Sequence, residues 1–159
     1  MGQRDTILIV DDMEVNRVIL SGLFQEEYHL LEAENGEQAL LLLKQYHGNI
    51  AIMLLDVVMP VMDGYQVMKE MGGSGLLDEV PVVVITADNS LEGELRSFDL
   101  GASDIIVKPF EPHVVKRRVH NIIELYLHTP NLEDMVDQQD HKLKESNELL
   151  VDALYSAID

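Results

Sequence analysis

The sequence predicts an α/β fold built on a doubly wound, five-stranded parallel sheet. Three observations lead to this prediction. Short apolar runs recur five times along the chain, and each is followed by a longer stretch with helical character. Strands that alternate with helices form parallel sheets, with the helices packed on both faces. Apolar residues make up 47% of the 159 residues, enough for a substantial core.

The five predicted strands are short, apolar and bounded by turn or charged residues. They cover residues 6–10, 28–33, 50–55, 80–85 and 104–107. Continuous apolar runs such as IAIMLL at 50–55 are typical of strands that are buried on both faces. Since crossovers between parallel strands are right-handed, we expect the flavodoxin-like strand order 2-1-3-4-5.

Five helices are expected between and after the strands, at residues 14–27, 37–46, 64–71, 90–100 and 111–128. In the first, Val15, Val18, Ile19 and Leu23 recur at helical spacing, so we expect them on one face of the helix. The third is expected to end at the Gly-Gly-Ser-Gly loop of residues 72–75.

Charge and composition exclude several classes of function. Lys plus Arg is 11 and Asp plus Glu is 29, which gives a net charge of −18. Such an acidic surface repels phosphate backbones, so we expect no nucleic-acid partner. The chain has no Cys, which excludes disulfides and thiolate metal sites. Without a recognisable signal peptide or a membrane-spanning apolar run, a cytoplasmic protein with no membrane partner is expected.

The residues that could bind a ligand or take part in a reaction lie at the ends of four predicted strands. The first strand runs into Asp11 and Asp12, the third into Asp56, the fourth into Thr86 and the fifth into Lys108. Ligands of open parallel sheets bind outside the carboxyl ends of the strands, so these five side chains should meet at one edge. Any one of them alone is more often a structural turn residue, but the joint occurrence favours a functional site.

Each residue type has a physical role at such a site. Clustered carboxylates repel one another, and a divalent cation relieves that repulsion. Oxygen ligands without His or Cys suit Mg²⁺. A carboxylate can also attack phosphorus and form an acyl phosphate. Lys108 would bring a compact positive charge to the transferred group, and Thr86 a hydroxyl donor.

The motifs ILIVDD, LLDVVMPVMDGYQV, VVVITAD and GASDIIVKPF resemble those of bacterial two-component response regulator receiver domains, over residues 5–125. The resemblance implies that Asp56 accepts a phosphoryl group from a sensor histidine kinase or phosphotransfer protein. It also implies that Asp11, Asp12, Asp56 and the backbone carbonyl of Val58 bind Mg²⁺, and that Thr86 and Lys108 contact the phosphoryl group. The Lys108–Pro109 bond is expected to be cis, and Gly64 to supply an unusual turn conformation.

Two positions depart from the usual receiver pattern. Ile105 stands where these domains usually carry Tyr, Phe or His, three residues before the lysine. The switch is therefore expected to involve Thr86 and Ile105 without a clean aromatic rotamer flip. Val58, where the residue is often polar, offers less help in positioning an attacking water, while Asp88 could offer some.

The chain is expected to divide into a receiver domain at residues 1–128 and a helical linker or coiled-coil tail at 129–159. The tail resembles the linker that joins receivers to HD-GYP cyclic-di-GMP phosphodiesterase output domains. The catalytic motifs of that output domain are absent from the chain, so any hydrolase activity is expected to belong to a domain outside it. Val136, Leu143, Leu150 and Ala157 recur every seven residues, which predicts a homodimer through this helix.

Two other functions remain open at this point. One is an aspartyl-phosphate phosphatase, but such enzymes need a nucleophile and an acid two residues apart after the first strand. Asp11-Asp12-Met13-Glu14 lacks that arrangement. The other is a stand-alone or unphosphorylated receiver that acts as a protein-interaction module. We expect a phosphoacceptor rather than an enzyme, because the complete Asp, Thr and Lys set is present.

Overall fold

The computed structural model describes residues 4–128. Within them the strands are β1 (Thr6–Val10), β2 (His29–Ala33), β3 (Ile50–Leu55), β4 (Val82–Thr86) and β5 (Asp104–Val107). The helices are α1 (Glu14–Phe24), α2 (Gly36–Tyr46), α3 (Gly64–Ser74), α4 (Leu76–Glu79), α5 (Leu91–Asp99) and α6 (Pro112–His128). The predicted coiled-coil tail lies outside the described residues.

The chain divides into two units, residues 1–123 and 124–159. The first contains the sheet and the candidate site. The second is described only at residues 124–128, the last turn or so of α6. None of the helices in the described part of the chain is long and apolar enough to cross a membrane.

The five strands form one sheet in the order β2-β1-β3-β4-β5. Every neighbouring pair is parallel. The doubly wound α/β fold predicted from the sequence is therefore confirmed, including the strand order. Because all strands run in one direction, their carboxyl ends lie at a single edge.

Alternation along the strands builds a core on each face of the sheet. In β1, Leu8 and Val10 pack into one apolar cluster, whereas Ile7 and Ile9 pack into the other. The first cluster is covered by α2 and α3, through residues such as Leu43 and Met68. The second is covered by α1 and α6, through residues that include Leu20, Phe24, Val115 and Val119. Helices on both faces bury the three central strands β1, β3 and β4 completely, whereas the edge strands β2 and β5 stay partly exposed.

Of the four apolar residues predicted to share one face of α1, only Leu23 packs against the core, as a partly buried side chain. Val15 and Val18 are 57% and 61% exposed, and Ile19 is exposed as well. The helix instead buries Arg17, Leu20 and Phe24, which lie three and four residues apart on one face. A charged residue therefore occupies a position that the apolar pattern assigned to solvent, because its guanidinium finds partners on the neighbouring strands.

The segment between α3 and β4 also differs from the prediction. α3 continues through Gly72 and Gly73 to Ser74, and it ends at Gly75, whose φ of 82° places it in the left-handed region. The short helix α4, which was not predicted, follows directly. β4 begins at Val82 rather than at residue 80, since Pro81 has no N–H for the sheet.

Candidate functional site

Three carboxylates meet at the carboxyl edge of the sheet. Oxygen atoms of Asp11, Asp12 and Asp56 all lie within 4.8 Å of one another. Asp56 is only 5% exposed, and its N–H donates to the carbonyl of Val10 at 2.9 Å. Asp11 is buried too, and its N–H donates to the carbonyl of Ala33 at 3.1 Å. The ends of β1, β2 and β3 thus fix the backbone of both buried carboxylates.

Lys108 joins this cluster from the end of β5. Its Nζ lies 2.8 Å from Oδ2 of Asp11 and 3.3 Å from Oδ2 of Asp56. Its backbone N–H donates to the carbonyl of Thr86 at 2.7 Å, which ties it to the end of β4. The following bond to Pro109 is cis, as the sequence resemblance implied. One ammonium therefore bridges two buried carboxylates that come from different strands.

The pKa values at the site reflect burial first and the neighbouring charges second. Burial raises the pKa of Asp56, and the charge of Asp11 acts in the same direction. The Val58 N–H and the Lys108 ammonium lower that pKa but do not cancel the rise. Burial acts to lower the pKa of Lys108, yet its hydrogen bond to Asp11 and the charge of Asp56 raise it overall. Lys108 is therefore held in its charged form, and additional positive charge at the site would stabilise the ionised form of Asp56.

The donor set fits a Mg²⁺ ion. All three candidate side chains offer carboxylate oxygens, which hard divalent cations prefer. Three carboxylates face a single ammonium, so the cluster keeps excess negative charge that a divalent cation would neutralise. Asp12 is exposed, which leaves one side of the cluster open to solvent and to water ligands.

Val58 contributes its backbone to the site. Its N–H donates to Oδ1 of Asp56 at 3.1 Å, while its side chain is largely exposed. This hydrogen bond fixes the orientation of the Asp56 carboxylate. The predicted role of the Val58 carbonyl as a metal ligand remains a prediction.

Thr86 ends β4, the strand next to β3, and Ile105 lies on β5, one strand further from Asp56. Thr86 is buried, and its Oγ1 accepts a hydrogen bond from the N–H of Asp88 at 3.2 Å. Ile105 is half-buried, packs against the core cluster on the α2 and α3 face, and pairs with Val84. The site thus places Thr86 at the predicted edge, with its hydroxyl engaged by the turn that follows β4.

Asp88 is held in that turn by Ser90. Its Oδ1 accepts from the N–H of Ser90 at 2.9 Å and from its hydroxyl at 2.7 Å. These bonds lower the pKa of Asp88. The hydroxyl of Ser90 in turn accepts from the N–H of Gly93 and caps α5. The residue two positions after Thr86 therefore connects the site to the start of α5.

The structure gives Gly64 a different role from the predicted turn conformation. Gly64 begins α3, and its φ does not lie in the left-handed region. A Cβ there would lie 2.6 Å from the carbonyl oxygen of Asp56 and 2.7 Å from Cα of Val57. Glycine is required because α3 starts in contact with the backbone of the site. The left-handed position in this loop is Val61 instead, with φ 68°.

Arg17 belongs to the surroundings of the site, although its position was not among the predicted site residues. It is 8% exposed, and its Nη1 donates to the carbonyl of Asp11 at 2.8 Å. The only signal in the sequence is a basic residue three positions before Leu20 on the helix that follows Asp11 and Asp12. Its carboxylate partner Glu32 lies on β2 and is unrelated to it by any local spacing.

Comparison with known proteins agrees with this geometry. Residues 7–120 match the family described as the response regulator receiver domain. A probable cyclic di-GMP phosphodiesterase of Vibrio cholerae serotype O1 is 37% identical over 119 residues, 75% of this chain and 26% of that protein. A probable transcriptional regulator of Porphyridium aerugineum is 33% identical over 122 residues, 76% of this chain and 49% of the regulator.

A solved structure of the same kind is also similar. The signal receiver domain of a signal transduction histidine kinase from Syntrophus aciditrophicus aligns with a TM-score of 0.71 at 28% identity, covering 80% of this chain and 96% of that one. The chain spans about half or less of the length of the first curated relatives it matches.

A doubly wound sheet with an acidic cluster and a lysine at its carboxyl edge defines a phosphoacceptor signalling module. The family match covers more than half of the chain, which therefore belongs to the response regulator receiver domain family of two-component systems. Receiver domains are phosphoacceptors rather than catalysts, generally bind Mg²⁺ at an acidic pocket, and interact with histidine kinases or phosphotransfer proteins.

Proposed function

We propose that this chain accepts a phosphoryl group on the carboxylate of Asp56 in a Mg²⁺-dependent reaction. The observation that carries the proposal is the ammonium of Lys108, which bridges Asp11 and Asp56 at the edge where Asp12 completes the acidic cluster. Such an arrangement combines a nucleophile with the positive charge that a transferred phosphoryl group needs.

In the proposed reaction, a carboxylate oxygen of Asp56 attacks the phosphorus of a phosphohistidine on a sensor kinase or phosphotransfer protein. The new O–P bond forms as the P–N bond breaks, and the released imidazole nitrogen takes a proton from solvent. Asp11, Asp12, Asp56 and the Val58 carbonyl would hold Mg²⁺. When bound, the ion would supply positive charge that neutralises the cluster and orients phosphoryl oxygens.

Lys108 and Thr86 would then hold the transferred group. The ammonium of Lys108 can turn from the carboxylates to a phosphoryl oxygen, because Nζ carries three donors. The hydroxyl of Thr86 accepts a hydrogen bond from Asp88, which leaves its own proton free for donation to a phosphoryl oxygen. Movement of Thr86 towards the new charge, of roughly −1.5 to −2, would transmit the modification to α5 through Asp88.

Ile105 would respond to this movement by repacking. It lies on β5 next to Val84 of β4, and its apolar side chain belongs to the border of the core. Ile105→Tyr tests whether residue 105 limits coupling. The phosphorylation-dependent output of the variant should change, and an unchanged output would remove Ile105 from the switch.

The acceptor assignment is tested by incubating the protein with phosphoramidate and Mg²⁺ and measuring the intact mass. We expect one added phosphoryl group on the wild type, none on Asp56→Asn, and a strong reduction when the divalent ion is chelated. Asp63→Asn is a matched control, because Asp63 caps α3 in the same loop and Asn caps equally well. Equal labelling of Asp56→Asn, or steady consumption of phosphoramidate without label on the wild type, would overturn the assignment.

The output is proposed from the resemblance of residues 129–159 to a linker and from the Vibrio cholerae relative. We place the phosphorylation in the cytoplasm, and we propose that it controls a cyclic di-GMP phosphodiesterase domain in the full gene product. Cyclic di-GMP hydrolysis by that product should depend on phosphorylation of Asp56. Hydrolysis that is identical for wild type and Asp56→Asn would contradict the proposal.

A homodimer through the C-terminal helix is part of the same proposal. It rests on the seven-residue repeat that includes Leu143 and Leu150, outside the described residues. The mass in solution should fall from dimer to monomer in the double variant Leu143→Asp, Leu150→Asp. A chain that is monomeric both with and without residues 130–159 would exclude this interface.

A further inference from the structure

Arg17 is a buried cation at the carboxyl edge of the sheet that the proposed reaction does not use. Its guanidinium contacts three acceptors at once. Nη1 donates to the carbonyl oxygen of Asp11 at 2.8 Å, Nε donates to Oε1 of Glu32 at 3.1 Å, and Nη2 lies 3.7 Å from Oε1 of Glu34. The two glutamates come from the end of β2 and the residue just after it.

The contact with Asp11 lies where the pairing of β1 with β2 stops. The last paired residues are Val10 and Ala33, and the N–H of Asp11 makes one further hydrogen bond to Ala33. The carbonyl of Asp11 lies beyond that ladder, and Arg17 provides its donor. A side chain of α1 thus replaces the strand partner that β2 no longer offers.

Fixing this carbonyl also fixes Asp12. The oxygen of Asp11 and the N–H and Cα of Asp12 belong to one planar peptide unit. An arginine that holds the oxygen therefore sets the direction in which the chain leaves β1 and the place of the Asp12 Cα. The Asp11 side chain is fixed separately, by the Met13 N–H at 2.9 Å and by Lys108.

The charge of Arg17 is already balanced. Glu32 and Glu34 face its guanidinium, so Arg17 contributes to the acidic cluster chiefly through geometry. The planar fork of arginine is needed for this, because lysine cannot donate to a carbonyl and to a carboxylate on a different strand in the same fixed orientation.

We propose that Arg17 is a positioning residue that aligns Asp11 and Asp12 for Mg²⁺ by holding the peptide between them. The inference rests on the proposed Mg²⁺-dependent phosphorylation and deepens it. Replacing a residue that orients the metal ligands through hydrogen bonds typically weakens metal binding about 10–100-fold. We therefore expect Arg17→Lys to weaken Mg²⁺ binding by about 10-fold.

Arg4 supplies a matched control at the opposite end of β1. Its guanidinium donates to the carbonyls of His47 and Ile50, the latter at 3.0 Å, and pairs with Glu79 at 3.4 Å. Arg4→Lys and Arg17→Lys thus both replace a partly or fully buried arginine that binds backbone carbonyls and glutamate. Only Arg17 lies at the edge that carries the acidic cluster.

The experiment measures Mg²⁺ affinity by calorimetric titration of the unphosphorylated protein, and stability by urea unfolding without Mg²⁺. Both variants should lose stability, but only Arg17→Lys should bind Mg²⁺ about 10-fold more weakly. Its phosphorylation rate should fall at low Mg²⁺ and recover as the Mg²⁺ concentration is raised. Glu32→Gln, which loosens the guanidinium without removing it, should shift Mg²⁺ affinity in the same direction by a smaller factor.

The outcomes separate this inference from the function on which it rests. If wild type neither binds Mg²⁺ nor becomes phosphorylated, the proposed function fails. If wild type does both, and Arg17→Lys binds Mg²⁺ as tightly as Arg4→Lys, the positioning role is overturned. Should Arg17→Lys fail to fold, unchanged Mg²⁺ affinity in Glu32→Gln overturns it instead.

Discussion

The contact between Gly64 and the backbone of Asp56 makes Gly64→Ala an informative substitution. A Cβ at position 64 would lie 2.6 Å from the carbonyl oxygen of Asp56, whereas ordinary contacts begin at 3.4 Å. The difference of 0.8 Å must be absorbed by moving α3 or the end of β3. No side-chain rotation relieves the overlap, because the contacted atoms of Asp56 and Val57 are backbone atoms.

Gly64→Ala should lower both the free energy of unfolding and the rate of phosphorylation. Overpacking a close-packed site costs roughly 1–3 kcal/mol of unfolding free energy. A displacement near 1 Å at a reacting group can lower a rate by about 100-fold, so we expect a decrease of about 10- to 100-fold in phosphorylation by phosphoramidate. Urea unfolding without Mg²⁺ measures the first effect, and labelling rates at saturating Mg²⁺ measure the second.

Gly73→Ala controls for the change of glycine to alanine within the same helix. A Cβ at position 73 meets no atom within 4 Å. Glycine destabilises a helix relative to alanine. The free energy of unfolding of this variant should therefore rise by about 0.5–1 kcal/mol, and its phosphorylation rate should stay the same. A Gly64→Ala variant that unfolds at the urea concentration of the wild type and is labelled equally fast would contradict the expected overlap at position 64.

Three further predictions follow from the site. The raised pKa of Asp56 means that its ionised form is disfavoured in the folded protein, so the free energy of unfolding of Asp56→Asn should exceed that of the wild type at pH 7 without Mg²⁺. That gain should shrink as the pH falls through the raised pKa towards 3.8, and urea midpoints that differ equally at all pH values would refute it. Val61 is 74% exposed and has φ 68°, so Val61→Gly should remove about 1–2 kcal/mol of backbone strain against a glycine entropy cost of about 0.5–1 kcal/mol. A urea midpoint below that of the wild type would contradict the expected net gain. Asp12→Asn should weaken Mg²⁺ binding while the stability without Mg²⁺ holds or rises, since carboxylate repulsion is relieved; an unchanged Mg²⁺ titration would remove Asp12 from the metal site.

The sheet and the main site residues could be predicted because their signals are local. Buried parallel strands are continuous apolar runs, as in β3 and β4, and the residue that follows each run must lie at the carboxyl edge. Asp11, Asp56 and Lys108 could therefore be placed together before any distance was known. Proximity of that kind depends only on strand order and direction.

The orientation of α1 could not be predicted in the same way. Apolar residues occur on two sides of this helix, and Val15 and Val18 compete with Leu20 and Phe24 for the core. The choice depends on Arg17, whose burial is compensated by the carbonyl of Asp11 and a glutamate of β2. Such tertiary partners leave no periodic trace in the sequence.

The extent of α3 depends on tertiary packing as well. Gly72 and Gly73 have weak helix propensity, but Met68 and Met71 of the same helix are buried in the core and hold this segment helical. The reason for glycine at position 64 also became visible only from the neighbouring backbone.

The contact between Lys108 and Asp11 joins residues that are 97 positions apart in the chain. Forming a contact of such large sequence separation costs the entropy of closing the intervening loop. If β5 were not paired with β4, Asp11 and Asp56 would lack the ammonium of Lys108 that balances their charge. Because Lys108 follows β5 and contacts Asp11 at the end of β1, the proposed phosphoacceptor site is complete only when β5 is in its place in the sheet.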